Sequence, residues 1–182
     1  MREVREGDDR FHCEPGLRKK HEFKGMKEVQ RLKLRMQEMY DGEPWLDVSL
    51  LPVLRQVPAC LAAKKLRPDR NSIWEIVNHL AAWKEAVLRR LTVGKETSPE
   101  HNFFLPVENK SDASWEASLK ALEQAHKKWM MFLEGMEDKD LDKIYYGNRS
   151  WHYHIEGLIQ HDAYHLGQIV LLTKLIPADN QI

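Results

Sequence analysis

Four long stretches of this chain repeat their large apolar residues at intervals of three and four, and no run alternates apolar with polar residues around a tight turn. That interval matches the 3.6-residue turn of an α-helix, whose apolar stripe must be covered by another element, whereas a half-buried strand needs a period of two. The chain is therefore expected to be all-α. An antiparallel four-helix bundle is the arrangement that buries all four stripes together.

The first segment, Met26 to Tyr40, carries Val29, Leu32, Met36 and Met39 and stops at Asp41-Gly42, with Pro44 behind it. A shorter apolar stretch, Leu46 to Val57, reads as one helix, an addition to the first or a continuation of it, in which Pro52 is tolerated only near the start. Ser72 followed by Glu75 makes a capping box, so the next long helix starts near Ile73, and Gly94 closes it. Residues 95–111 form a loop long enough to cross from one end of a bundle to the other. Asp112 or Ser114 is expected to cap the third long helix, which Trp115, Leu119, Leu122, Trp129 and Leu133 stripe and Gly135 ends. The last runs from about Tyr153 to Ile176, stopped by Pro177.

A chain of 182 residues with 42% hydrophobic residues suits one domain. Residues 1–25 are rich in charge and broken by Gly7, Pro15, Gly16 and Gly25, and read as a mobile extension, either native or a leader ahead of Met26; residues 26–182 form the bundle domain. Basic and acidic residues balance at 28 each, so there is no global field to gather nucleic acid or an anionic membrane surface. The pairs Lys64-Lys65 and Arg89-Arg90 read as solvated faces. Cys13 and Cys60 stand apart, outside any paired spacing, which fits a reducing cytoplasm. No stretch approaches the roughly 18 consecutive apolar residues of a membrane span.

The chemistry concentrates in His161-Asp-Ala-Tyr-His165, followed by Gly167-Gln168, in the inward stripe of the last helix. Histidines four apart on a helix lie one turn apart on the same side, so both imidazoles can reach one ion. Two adjacent imidazolium charges in a core are costly, which leaves a neutral hydrogen-bonded pair or a metal-bound one. A divalent ion needs a third ligand, and His79, at the edge of its helix's apolar stripe, is the candidate. Three neutral imidazoles leave coordination positions open to water, as in a catalytic site. His126 has two readings, a buried histidine bonded to an acceptor or a further ligand or ligand support. Gln168 either hydrogen-bonds a ligand or substrate or packs beside Gly167, and Trp83 and Tyr164 either fill the core or line a pocket. Asp162 stands where the zinc-peptidase motif His-Glu-x-x-His has its glutamate, but is one methylene shorter, which argues against peptide hydrolysis. It is read as orienting a ligand or making a surface hydrogen bond.

The run Ser72-Ile-Trp-Glu-Ile-Val-Asn-His79-Leu, the motif His161-x-x-x-His165-x-Gly-Gln168 and the segment Tyr40-Asp-Gly-Glu-Pro-Trp45 together resemble the DinB-like superfamily of metal-dependent proteins, a likeness extending over most of residues 26–182. The resemblance implies an up-down-down-up four-helix bundle with a long crossover connection, and metal ligands at His79, His161 and His165. It also implies zinc or nickel as the ion and a homodimer. In some branches it implies transfer of a low-molecular-weight thiol, such as bacillithiol or mycothiol, to a small electrophilic substrate. Tyr164 and Leu166 stand where the commoner family pattern has a histidine and an arginine, so the substrate contacts of those two residues do not carry over. The expected function is that of a cytoplasmic metalloenzyme, a thiol S-transferase or hydrolase, in which the bound ion activates a thiol or water. The alternative is a non-catalytic metal-binding or stress-response bundle.

Overall fold

The computed structural model describes residues 25–94, 97–145 and 148–176, and the elements among them are helical. Four helices are long: α1 (Glu28–Asp41), α4 (Ile73–Thr92), α5 (Asp112–Glu134) and α6 (Trp151–Leu175). Between α1 and α4 lie two short helices, α2 (Leu50–Leu54) and α3 (Ala59–Ala62), and a 3₁₀ turn at Asp138–Asp142 precedes α6. Among the described residues there is no strand, only a single antiparallel bridge between Ile144 and Ser150. The extension expected over residues 1–25 lies, but for Gly25, outside the described residues, as does Pro177.

The helix starts follow from local chemistry. Ser72 Oγ accepts from the Glu75 N–H at 3.2 Å while Glu75 Oε2 accepts from the Ser72 N–H at 2.7 Å, which completes the capping box. Burial opposes the Glu75 carboxylate, but the Ser72 hydrogen bonds and Lys65, 2.9 Å away, outweigh it and hold its pKa below the usual value. The third long helix starts on Ser111, whose Oγ accepts from the Ser114 N–H, and not on Asp112 or Ser114. Asp112 instead occupies the first turn, where its charge faces the positive end of the helix dipole. Ser150 caps α6, so that helix begins two residues before Tyr153.

The single helix expected over Leu46 to Val57 is two short ones. Pro52 is the third residue of α2, within the first turn where its missing N–H costs nothing. Pro58 disfavours helical geometry at Val57, and the chain restarts as α3 with Pro58 as its cap.

α1 and α4 each pack against both α5 and α6, which closes the four long helices into a ring. Tryptophan N–H groups tie them together: Trp74 Nε1 donates to Ser118 Oγ at 2.8 Å, Trp129 Nε1 to the Lys84 carbonyl at 2.9 Å, and Trp115 Nε1 to the Val57 carbonyl at 2.9 Å. The core falls into two apolar clusters. One holds Leu80, Leu122 and Leu166, and the other Val87, Trp129 and Leu158. Between them on α4, α5 and α6 sit Lys84, His126 and Asp162, all buried, as a polar layer across the ring. Asp162, expected to orient a ligand or to bond at the surface, is fully buried and paired with Lys84 across α4 and α6.

Candidate metal centre

His79 on α4 and His161 and His165 on α6 converge just above the polar layer. One ring nitrogen from each lies within 4.8 Å of the other two. The i, i+4 spacing aligns the α6 pair, with ring centroids 4.5 Å apart, and His79 faces both at 5.0 and 4.7 Å. His79 and His165 are buried and His161 is half-buried.

Two of the three rings are held by their outer nitrogens. His79 Nδ1 lies 2.7 Å from the Asn102 carbonyl, which can only accept, so Nδ1 carries the proton and Nε2 a lone pair. His165 Nδ1 donates in the same way to Gln168 Oε1 at 2.7 Å. This is the support that metal-ligating histidines use to fix tautomer and ring angle. His161 Nε2 approaches His79 Nε2 to 2.9 Å, and His161 Nδ1 is buried with no hydrogen-bond partner among the described residues.

Burial holds all three rings neutral. It lowers the pKa of His79 to about 4 against the pull of the Asn102 carbonyl, and that of His161 to about 3, with the neighbouring His165 and His79 adding to the effect. Burial also lowers His165, with Gln168 and Asp162 acting in the other direction. The lone pairs are thus free for a cation at neutral pH. Nitrogens bonded tetrahedrally at about 2.0–2.1 Å stand about 3.4 Å apart, so modest ring rotations bring this set onto one ion. The donor set fits zinc or another borderline divalent metal, to which imidazole is well suited.

A cavity of about 400 Å³ opens over the rings. Trp83, Phe104 and Tyr164 form aromatic walls, Asn71, Asn102 and Gln168 supply amide groups, and none of the lining residues carries a formal charge. Phe104 stacks on His79 with centroids 3.9 Å apart, and Trp83 Nε1 donates to Asn102 Oδ1 at 3.2 Å. The Arg90 guanidinium lies over the Trp83 ring, 4.9 Å from its centroid. Asn102 and Phe103 have φ of 49° and 62°. Such left-handed geometry costs on the order of 1–3 kcal/mol at a bulky residue. Here it turns the Asn102 carbonyl and the Phe104 ring onto His79.

Of the residues singled out in the sequence, His79, His161, His165, Gln168, Trp83 and Tyr164 all border this cavity. His126 does not. Its ring stacks on Tyr40 at 3.9 Å, its Nε2 meets Gln37 Oε1 at 3.3 Å, and burial beside Lys84 lowers its pKa to about 3. Leu166 packs in the core. Asn71, Asn102 and Phe104 were not picked out from the sequence. Two phenylalanines in a loop were the one visible signal, and nothing in the order of residues said which histidine they would meet. Asp162 sits between the two α6 histidines in sequence but turns into the polar layer, and among the described residues no carboxylate lines the cavity.

The family model described as the DinB superfamily matches residues 45–169. No curated protein and no solved structure matches this chain. The matched stretch exceeds half of the chain and spans α4, α5 and most of α6 with all three converging histidines, and on that ground the chain belongs to the DinB superfamily.

Proposed function

We propose that this protein is a metal-dependent enzyme in which His79, His161 and His165 hold one divalent ion, zinc or nickel, for chemistry on a small electrophilic substrate. The observation that carries the reading is the outer hydrogen bonding of His79 and His165, which leaves inner lone pairs directed at a shared point under an open cavity. A divalent ion bound there supplies the Lewis acidity that lets a thiol or a water molecule give up its proton near neutral pH. The Asn102 carbonyl and Gln168 fix the two rings they touch, and the walls formed by Trp83, Phe104 and Tyr164 limit water around the reacting atoms. The uncharged lining suits an apolar or aromatic electrophile, whose leaving group departs as the sulfur or oxygen of the nucleophile bonds to carbon. The absence of a carboxylate from the lining weighs against peptide hydrolysis.

The finer topology follows the same reading. Residues 74 and 84 of α4 meet residues 118 and 129 of α5 in the same order, whereas residues 33 and 37 of α1 meet residues 134 and 126 of α5 in reverse. Residues 28 and 35 of α1 meet residues 152 and 156 of α6 in the same order. These pairings support an up-down-down-up bundle. No helix among the described residues is long and apolar enough to cross a membrane, and Cys60 is an exposed free thiol, in keeping with a cytoplasmic protein.

The test is elemental analysis of protein purified without chelator, cobalt absorption spectra, and conjugation and hydrolysis assays with model electrophiles. One bound ion, a four- or five-coordinate cobalt spectrum that shifts on adding thiol, and loss of both in a His79→Ala, His161→Ala, His165→Ala variant are expected. A cobalt spectrum insensitive to thiol and to every small anion supports instead a purely structural ion.

A further inference from the structure

A second cavity, of about 370 Å³, opens next to the one over the histidines. The two are built on the same pair of walls. At the start of α4, Asn71 and His79 border the histidine cavity while Ser72 and Glu75 border the second, and Glu75 stands one turn, or about 6 Å, before His79. On the segment leading to α5, Phe104 borders the first cavity and Pro106 and Val107 the second, with Phe104 and Pro106 at most about 7 Å apart along the chain. A small molecule seated over the histidines is therefore within reach of the second cavity.

The two cavities differ in charge. No formally charged residue lines the first, whereas Lys64, Lys65 and Lys110 border the second against a single carboxylate, that of Glu75. Lys64 and Lys65, expected on a solvated face, thus stand at the edge of a hollow. The Glu75 carboxylate is already committed, since Oε2 accepts from the Ser72 N–H at 2.7 Å and Oε1 from the Lys65 ammonium at 2.9 Å. Lys110 has no partner among the described residues, and Glu108, exposed two residues before it, does not border the cavity. Three cations against one anion leave the lining with an excess of two positive charges, and a cleft lined by one sign of charge gathers ions of the other.

We infer that this lysine cavity holds a carboxylate or phosphoryl group of the substrate, an apolar or aromatic electrophile whose reacting carbon lies over His79, His161 and His165. This rests on the reading of the histidine cavity as the place of reaction and narrows the class of electrophile to one with an oxyanion at its far end. An ammonium is a compact charge with three donors, suited to the oxygens of an oxyanion, and hydrogen bonds between ionised groups are about twice as strong as neutral ones. The capping box and Lys65 hold and neutralise the Glu75 carboxylate, so it neither moves into the cavity nor repels a second anion strongly. The aromatic walls of the first cavity take the apolar part of the same molecule. The oxyanion takes no part in bond making. Its binding energy fixes the position of the reacting carbon, which is how contacts far from the chemistry raise a rate.

Full-length metal-free protein is titrated calorimetrically at neutral pH with 3-phenylpropanoate, 2-phenylethylphosphonate and 3-phenylpropanamide, which share a ring and a two-carbon arm and differ in the charge at its end. Leaving out the metal keeps the oxyanion from binding to an ion instead. At least one oxyanion should bind about tenfold or more tighter than the amide, and the tighter of the two tells carboxylate from phosphoryl. In a Lys64→Ala, Lys110→Ala variant that advantage should vanish, with amide binding, zinc affinity and thermal midpoint unchanged; Lys65 is kept because it holds Glu75. Equal binding of the three probes, no binding of either oxyanion, or an advantage that survives the double variant overturns the inference. Failure of the metal reading looks different: no ion is found by elemental analysis while the oxyanion preference stays intact.

Discussion

Replacing Lys84 by methionine keeps the length of the side chain and deletes the one cation that the described residues place in the polar layer between the two halves of the core. Both side chains of the Lys84–Asp162 pair are fully buried. Asp162 Oδ2 accepts from the ammonium, and Oδ1 has no partner among the described residues. In the variant the carboxylate keeps its desolvation penalty and loses its attraction, and breaking a buried pair in this way costs about 3–5 kcal/mol. Against a total stability of about 5–15 kcal/mol, that is at least about a fifth. With about 2–4 °C per kcal/mol for a domain of this size, the melting midpoint should drop by roughly 10 °C. Urea unfolding of the metal-free protein measures the loss directly. Burial already raises the Asp162 pKa, with Lys84 opposing it, and without Lys84 the native carboxyl holds a proton that the unfolded chain has released. The variant should therefore gain stability relative to the parent as pH falls toward the ordinary carboxylate value of about 4. Removing both charges in Lys84→Met, Asp162→Leu should restore the parent stability or exceed it by about 1–4 kcal/mol. A single-variant cost below about 1 kcal/mol, the scale of an exposed pair, refutes the reasoning, as does a double variant no better than the single one.

Acid should weaken the metal-free fold through its histidines. His79, His126 and His161 have native pKa values of about 4, 3 and 3, below the ordinary 6.5, because burial penalises their charged forms. The unfolded chain therefore binds protons first. Stability is complete above about pH 6.5 and falls as pH drops from there toward 4 and 3, and a flat denaturation midpoint between pH 7 and 5 would contradict this. Gln168→Leu removes the acceptor that holds His165 Nδ1 and should weaken zinc binding about 10–100-fold with little change in unfolding. Gln168→Glu retains an acceptor and should bind close to the parent, and equal calorimetric affinity for zinc in all three proteins rules out the supporting role.

What could be read from the order of residues was whatever rests on short-range geometry. The apolar stripes follow from a fixed turn of 3.6 residues, so the helical class and the four long segments were visible. Ser72 and Glu75 lie three apart, within reach of each other's backbone, and His161 and His165 lie one turn apart on any helix. The cap of α5 is Ser111, one or three residues before the two positions expected, and α6 starts two residues before Tyr153, because several small polar residues sit side by side and only the packed helix decides which of them stands at the first turn.

The rest depended on approach between distant parts of the chain. Asp138 caps α1, accepting from the Glu28 and Val29 N–H groups at 3.2 and 3.0 Å across more than a hundred residues. Lys84 and Asp162 meet as a buried pair, where the sequence offered Asp162 only ligand or surface roles. His126, a plausible fourth ligand by its stripe, was carried to Gln37 and Tyr40 by the rotation of α5 against α1. The Asn102 carbonyl reached His79 through two left-handed residues in a loop whose path no periodicity encodes. Helical periodicity and i to i+4 spacing thus determined the fold class and two of the three converging histidines. Which groups support those histidines and which charge Asp162 meets were decided by tertiary packing, because burial and electrostatic pairing depend on distances in space that the chain sets only once it has folded.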